Sequence, residues 1–219
     1  RYWLHVKHLL VEGRKMSKSL GNFITVRELL EKGYDAASIR HQLISAPYRR
    51  ELNFTLDGLD GSRKAVQRLL DFEARLEGVA VEESAAATRL PEQAREAVEG
   101  FRAAMDDDFN TADALAALFM FVNRVNGELD GRAGVPPADR DAALEALRSM
   151  DRVLGLLEVA HASRSVDDDL AGWVEGRIQA RAAARMARDF AAADAIRNEL
   201  AARGIVLEDG PKGPRWTLV

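Results

Sequence analysis

The amino-acid sequence predicts a mainly α fold. An antiparallel helical bundle is preceded by a segment built around a polar loop and followed by a small α+β domain with a terminal β-hairpin. Three observations predict it. Apolar residues recur at helical spacing over long stretches between about Ser62 and Leu157. The first part of the chain instead breaks short apolar runs with glycine and polar residues. At the C-terminal end, Ile205-Val206-Leu207-Glu208 and Arg215-Trp216-Thr217-Leu218 flank Asp209-Gly210-Pro211-Lys212-Gly213, the pattern of a hairpin.

Taken in order, Leu9-Leu10-Val11-Glu12-Gly13 reads as a short strand ending in a turn, and the polar stretch Arg14 to Asn22 as a loop. Thr25-Val26-Arg27-Glu28 fits a capping box, in which hydroxyl and carboxylate satisfy free amides at the start of a helix that stops near Gly33. Asp35 is placed to cap the next helix, with Ile39, Leu43 and Ile44 as its buried stripe. Val66, Leu69, Leu70, Phe72 and Leu76 form the apolar face of a long helix, and residues 79–89 are expected to be a mobile connection. Pro91 suits the first turn of a helix reaching Phe101 and Met105. Beyond Asp106-Asp107-Asp108-Phe109-Asn110-Thr111 comes the most apolar helix, from Ala114 to Val125. Pro136-Pro137 opens another, with Leu144, Leu147, Val153, Leu154 and Leu157 inward. Short connections favour an antiparallel bundle. Asp167-Asp168-Asp169 marks a boundary, followed by two helices broken near Arg188-Asp189. The expected organisation is 1–54, 55–165 and 166–219.

Composition narrows the function classes. No apolar run approaches the ~18 residues of a membrane span, and no basic-then-apolar leader is visible. The chain has no cysteine, which removes disulfides and thiolate metal ligands and suits a cytoplasmic protein. The histidines at 5, 8, 41 and 161 lack carboxylates at metal-site spacing and read as surface or packing residues. The net charge is −4 but uneven. Residues 1–60 hold 10 Lys/Arg against 7 Asp/Glu, residues 61–172 hold 13 against 22, and residues 173–219 hold 8 against 6. Phosphate contacts are therefore expected at the two basic ends. An opening at Arg1 rather than Met is expected of a fragment or a processed product.

The strongest motif is Lys15-Met16-Ser17-Lys18-Ser19 (KMSKS), followed by Leu20-Gly21-Asn22. Two ammonium groups and two hydroxyls on a polar loop suit a polyphosphate whose charge shifts during reaction. A donor that contacts leaving pyrophosphate more strongly in the transition state contributes about 3 kcal/mol.

The ordered string resembles the second signature of class I aminoacyl-tRNA synthetases. Tyr2-Trp3-Leu4-His5, Phe23-Ile24-Thr25-Val26-Arg27, Leu43-Ile44-Ser45-Ala46 with Tyr48-Arg49, Leu52-Asn53-Phe54, Ala104 to Thr111, and Gly204 to Asp209 resemble the cysteinyl-tRNA synthetases. The resemblance covers essentially the whole chain. It implies an anticodon-binding type of helical bundle behind a catalytic-loop and stem-contact segment. It further implies that Lys15 and Lys18 are catalytic, and that Lys15, Met16, Ser17, Lys18 and Ser19 form the ATP-binding loop, with Met16 as its packing anchor. Tyr48, Arg49 and Arg50 are implied to touch the inner side of tRNA. Tyr48 has an interdomain packing role as its alternative. Asp106 to Asp108 read as capping and turn residues, with Asn110 or Thr111 as the cap of the next helix.

Arg185, Phe190, Asp194 and Asp209 match anticodon-domain positions, where single-stranded bases offer faces to aromatics and edges to charged groups. Phe190 stands where relatives often have Trp, and Phe190 with Trp216 can alternatively form the core of that small domain. The parent reaction would use ATP with Mg2+, and family members carry a zinc ion upstream of this segment. The expected partners are tRNA-Cys and a missing N-terminal catalytic domain with its His-Ile-Gly-His signature, so the segment alone is expected to be inactive. Two alternatives stay open: a cysteine ligase of the mycothiol pathway, against which residues 173–219 count, and a free-standing RNA-binding module derived from a synthetase.

Overall fold

A computed structural model describes residues 1–187, 189–203, 205–210 and 213–218, with side chains described to 163 and at 169, 172–187, 189–203, 205 and 207. By internal contacts the chain divides into two units, Arg1–His161 and Ala162–Val219.

The first unit opens with a three-stranded sheet of order β2-β1-β3. Strand β1 (Leu9–Val11) pairs antiparallel with β2 (Arg14–Lys15) and parallel with β3 (Leu52–Phe54) in the register Leu9↔Leu52 to Val11↔Phe54. The β1–β2 connection is the dipeptide Glu12-Gly13, both at positive φ, as a two-residue hairpin turn matching the strand twist requires. Helices α1 (Val26–Glu31) and α2 (Ala36–Ile44) lie between β1 and β3 in sequence. The Thr25–Glu28 capping box forms in both directions, and Asp35 accepts from the Ser38 amide at 2.8 Å. Val11, Leu29, Ile39, Phe54 and Leu59 close a small core of their own. Leu43 is exposed. In its place on α2, Gln42 is buried, its amide nitrogen donating to the Thr55 carbonyl.

Thr55 caps α3 (Leu56–Gly78), so β3 runs directly into the bundle of α3, α4 (Leu90–Asp106), α5 (Thr111–Leu129) and α6 (Pro137–Leu154). Phe72 and Phe121 meet edge to face at 5.7 Å within its core. Residues 79–89, expected to be mobile, are pinned. Val81 bridges Val135, and Asp139 accepts from the amide and hydroxyl of Thr88 at 2.9 and 2.8 Å. Val153, expected inward, is 51% exposed because it stands off the α6 face that Leu147, Met150 and Leu154 bury.

Helix α7 (Leu156–Met186) follows at once. The buried carboxylate of Asp151 accepts from the amides of Leu156, Leu157 and Glu158 at 2.8, 2.9 and 3.0 Å, which caps the start of α7. Arg40 of α2 donates to the Leu154 carbonyl and so closes the end of α6.

In the second unit, α7 from Ala162 onward and α8 (Phe190–Ala202) precede β4 (Ile205–Gly210) and β5 (Gly213–Leu218), an antiparallel pair. Val174, Leu200 and Ile205 form its core. Pro211 and Lys212 of the hairpin turn, and Arg188 at the break between the helices, lie outside the described residues. Among the described residues, no helix is long and apolar enough to cross a membrane.

Asp151→Ala should lower the stability of the chain by about 2–4 kcal/mol, because it removes a helix cap and leaves buried amides unpaired. Urea unfolding followed by circular dichroism measures the shift, with the denaturant slope expected to stay constant.

Candidate ATP-loop and RNA-contact surfaces

The polar stretch expected to be a loop is built in detail. Arg14 and Lys15 form β2, and Lys18–Leu20 make one 3-10 turn. The Ser17 hydroxyl caps that turn, accepting from the Leu20 amide at 3.3 Å, and lies 3.2 Å from the Ser19 hydroxyl. Gly21 ends the turn at φ 66, a conformation that favours glycine. Asn22 staples the loop to the sheet. Its carbonyl oxygen accepts from the Ser17 amide at 2.9 Å, and its amide nitrogen donates to the Lys15 carbonyl at 3.2 Å. The sequence motif by itself gives Asn22 no role. Its signal was the amide side chain directly after a left-handed glycine.

Met16 is half-buried against the small core, so its side chain faces away from solvent while Lys15, Lys18 and Ser19 are exposed. Among the described residues, neither lysine makes an ion pair, and the Lys18 ammonium sits 5.8 Å from the Phe23 ring centre. The loop thus presents two uncompensated cations and a hydroxyl on a fixed base, suited to phosphate oxygens.

Tyr48 and Arg49 lie in the connection from α2 to β3, and both engage Asp108. The Tyr48 hydroxyl donates to Asp108 Oδ1 at 2.7 Å, Arg49 Nη2 donates to the same oxygen at 3.2 Å, and Arg49 Nε donates to Oδ2. Arg49 also stacks over the Tyr48 ring at 5.2 Å. These bonds, from Arg49 first and Tyr48 second, hold the Asp108 carboxyl below the usual carboxylate range. The hydrogen bond to Asp108 raises the Tyr48 phenol. Arg50 is exposed and makes no ion pair among the described residues. The α4–α5 turn is strained, with Asp108 and Phe109 both at φ 55, and Thr111 Oγ1 ties it to the Ala46 carbonyl at 3.3 Å. Asn110 caps α5. Asp108, read in the sequence as a turn residue, stands in that turn and also makes a long-range clamp.

In the second unit, Arg185 is exposed in the last turn of α7, while Phe190 and Asp194 are exposed one turn apart on α8. Phe190 is outside the core of that unit. Asp209 stands in β4 opposite Pro214; its side chain, like that of Trp216, lies outside the described residues. Among the described residues, no three His, Asp or Glu side chains gather as metal ligands.

A helical bundle behind a sheet-anchored Lys-Met-Ser-Lys-Ser loop is the arrangement expected of a class I aminoacyl-tRNA synthetase segment. Residues 1–64 match the family of class I (C) tRNA synthetase catalytic domains, residues 100–158 the DALR domain, and residues 167–216 the cysteinyl-tRNA ligase anticodon binding domain. Over nearly its whole length the chain is similar to part of the cysteine–tRNA ligases. It is 45% identical over 219 residues to the cysteine–tRNA ligase of Solibacter usitatus, covering 99% of this chain and 45% of that protein. It is 43% identical to that of Symbiobacterium thermophilum, again over 99% and 45%, and 40% identical to that of Chlamydia felis, over 98% and 44%. The chain therefore spans less than half the length of these relatives. A leucyl enzyme in a ternary LeuRS–tRNA–LeuAMS complex from Agrobacterium radiobacter K84 shares the fold with a TM-score of 0.50 at 21% identity, over 69% of this chain and 20% of that one.

His41 of α2 gives a pH test. Burial pushes its imidazole below its ordinary value of about 6.5, and Nδ1 lies 2.9 Å from the Ser62 hydroxyl. The unfolded chain then binds the proton more readily. Stability from this group is therefore complete above about pH 6.5 and declines as the pH falls through that value. Urea midpoints of wild type and His41→Asn across that range should converge toward acid pH. Parallel curves would contradict the burial effect.

Proposed function

We propose that this chain supplies the signature loop and the tRNA-binding regions of a cysteine–tRNA ligase, which activates cysteine with ATP and transfers it to tRNA-Cys. The ordered succession of three family matches along one chain carries this reading. In it, residues 1–54 end the catalytic domain, 55–165 form the helical tRNA-binding domain, and 166–219 form the anticodon domain.

Lys15 and Lys18 neutralise the β- and γ-phosphates of ATP as pyrophosphate leaves, with Ser17 and Ser19 holding the loop and Met16 anchoring it. The exposure of both lysines without a carboxylate partner supports this role. Tyr48, Arg49 and Arg50 face the inner side of the tRNA, with Asp108 fixing the first two. Arg185, Phe190, Asp194 and Asp209 form the anticodon-reading set. The exposure of Phe190 favours a base-stacking ring over a core role. The zinc ion that the resemblance places upstream of this segment finds no thiolate ligand in a chain without cysteine. The partner of the loop is the remaining part of the same enzyme, acting in the cytoplasm.

Fluorescence anisotropy of the chain with labelled tRNA-Cys, over a salt series, tests the reading. Changing one anticodon base should weaken binding about fivefold to a hundredfold. Equal affinities would remove anticodon reading, since a salt slope alone reports only phosphate contacts. In a second assay, the chain by itself should show no cysteine-dependent ATP–pyrophosphate exchange.

A further inference from the structure

The bundle lies in the acidic stretch of the sequence, yet its cations are not evenly compensated. Between Ser62 and Leu157 there are 12 Lys/Arg side chains, and among the described residues nine of them form ion pairs with carboxylates. Lys64, Arg68 and Arg102 do not. Two of these three, Lys64 and Arg68, stand one turn apart on α3 and line the same open groove of about 520 Å³ between α2, α3 and α5.

The groove is arranged to hold a charged chain against an apolar floor. Phe119 of α5 lies beneath the Arg68 guanidinium at 5.5 Å, and Arg68 also donates to the neutral Asn123 side chain. That orients the guanidinium without cancelling its charge. His41 meets the edge of Phe119 at 6.1 Å, and burial favours its uncharged form. The groove is also continuous with the Tyr48–Arg50 loop. Ser45 and Ala112 line it, and they directly adjoin the Ala46–Thr111 contact that docks the loop on the bundle.

Resting on the reading above that the chain binds tRNA, we propose that this groove seats a stretch of the tRNA sugar–phosphate backbone, with Lys64 and Arg68 each taking a phosphate. Ribose faces pack on Phe119 and Ala112, and the backbone continues past Arg49 and Arg50. An acidic bundle that pairs nearly every other cation leaves these two available where the surface is concave. Phosphate contacts therefore extend into the middle of the chain, where net charge alone places none.

The test is tRNA-Cys binding by the 219-residue chain over a salt series, with Lys64→Ala, Arg68→Met, the double variant, and Arg102→Ala as a cation outside the groove. Each groove substitution should weaken binding several-fold and lower the slope of log affinity against log salt by about one. The double variant should lower the slope by about two, and Arg102→Ala should match wild type. Thermal unfolding confirms folding. Lys64 keeps the test valid if Arg68→Met is unstable, because its ammonium has no partner to lose among the described residues.

Wild-type slopes in folded groove variants overturn the groove while leaving the tRNA reading intact, and so does an equal loss in Arg102→Ala. Saturable displacement of the RNA by inorganic phosphate at constant ionic strength would assign the groove to a small phosphate compound and overturn it too. No binding of tRNA by the wild-type chain would remove both the groove and the reading beneath it.

Discussion

The parallel pairing of Leu9–Val11 with Leu52–Phe54 fixes where everything else in the first unit can stand. The two strands are separated by some forty residues, and closing so long a loop costs entropy that local contacts must offset. The crossover helices do so by burying Leu29 and Ile39 against the sheet. Once formed, the pair joins two things that are otherwise independent. On one side β1 turns through Glu12-Gly13 into β2 and the lysine loop. On the other, β3 passes through the Thr55 cap into α3. Side-chain bonds reinforce the joint, since Gly13 donates to Asn53 Oδ1 at 2.8 Å and Leu56 to Glu12 Oε1 at 3.2 Å. The loop is thereby held at a set place relative to the bundle.

Charge organises the surface in a different way. Exposed ion pairs contribute little to stability, typically under ~1 kcal/mol each. Their consequence here is electrostatic shaping. Pairs along α3 to α6 mute most cations of the bundle. Among the described residues, Lys15, Lys18, Lys64 and Arg68 are left without carboxylates, two on the loop and two on the groove. Arg49 lies between these regimes, because Asp108 both neutralises it and orients it. A phosphate approaching that guanidinium has to share it with a carboxylate already held in its ionised form.

Local chemistry was legible in the sequence. The Thr25–Glu28 capping box, the Asp35 and Asn110 caps, the Pro91 helix start and the terminal hairpin depend on residues a few positions apart, and each appears in the structure. What was not legible depends on partners far away in sequence. Residues 79–89 look like a free connection until Val135 and Asp139 are placed beside them. Asp108 looks like one acid in a turn until Tyr48 and Arg49 arrive from sixty positions upstream. Counting along a helix places Leu43 and Val153 on buried faces, yet both are exposed, one position off the residues that pack. The lysine loop was found by its signature, but the role of Asn22 as its staple emerges only with the strand in place. The groove at Lys64 and Arg68 was hidden for another reason: its signal is the absence of carboxylates around two cations, and no sequence window displays that.

RNA held on the bundle has a defined relation to the lysine loop only where loop and bundle are one folded body. Native-state hydrogen exchange of the chain tests this most directly. The Glu12 amide, bonded to the Phe54 carbonyl at 3.1 Å, and the Met16 amide, bonded to that of Leu9, report on the sheet. Buried positions of α5 such as Val122 report on the bundle. The account expects Glu12 and Met16 to exchange far more slowly than in an unstructured peptide and to lose protection together with Val122 as urea is added. Exchange of Glu12 and Met16 at unprotected rates while Val122 remains protected would contradict it.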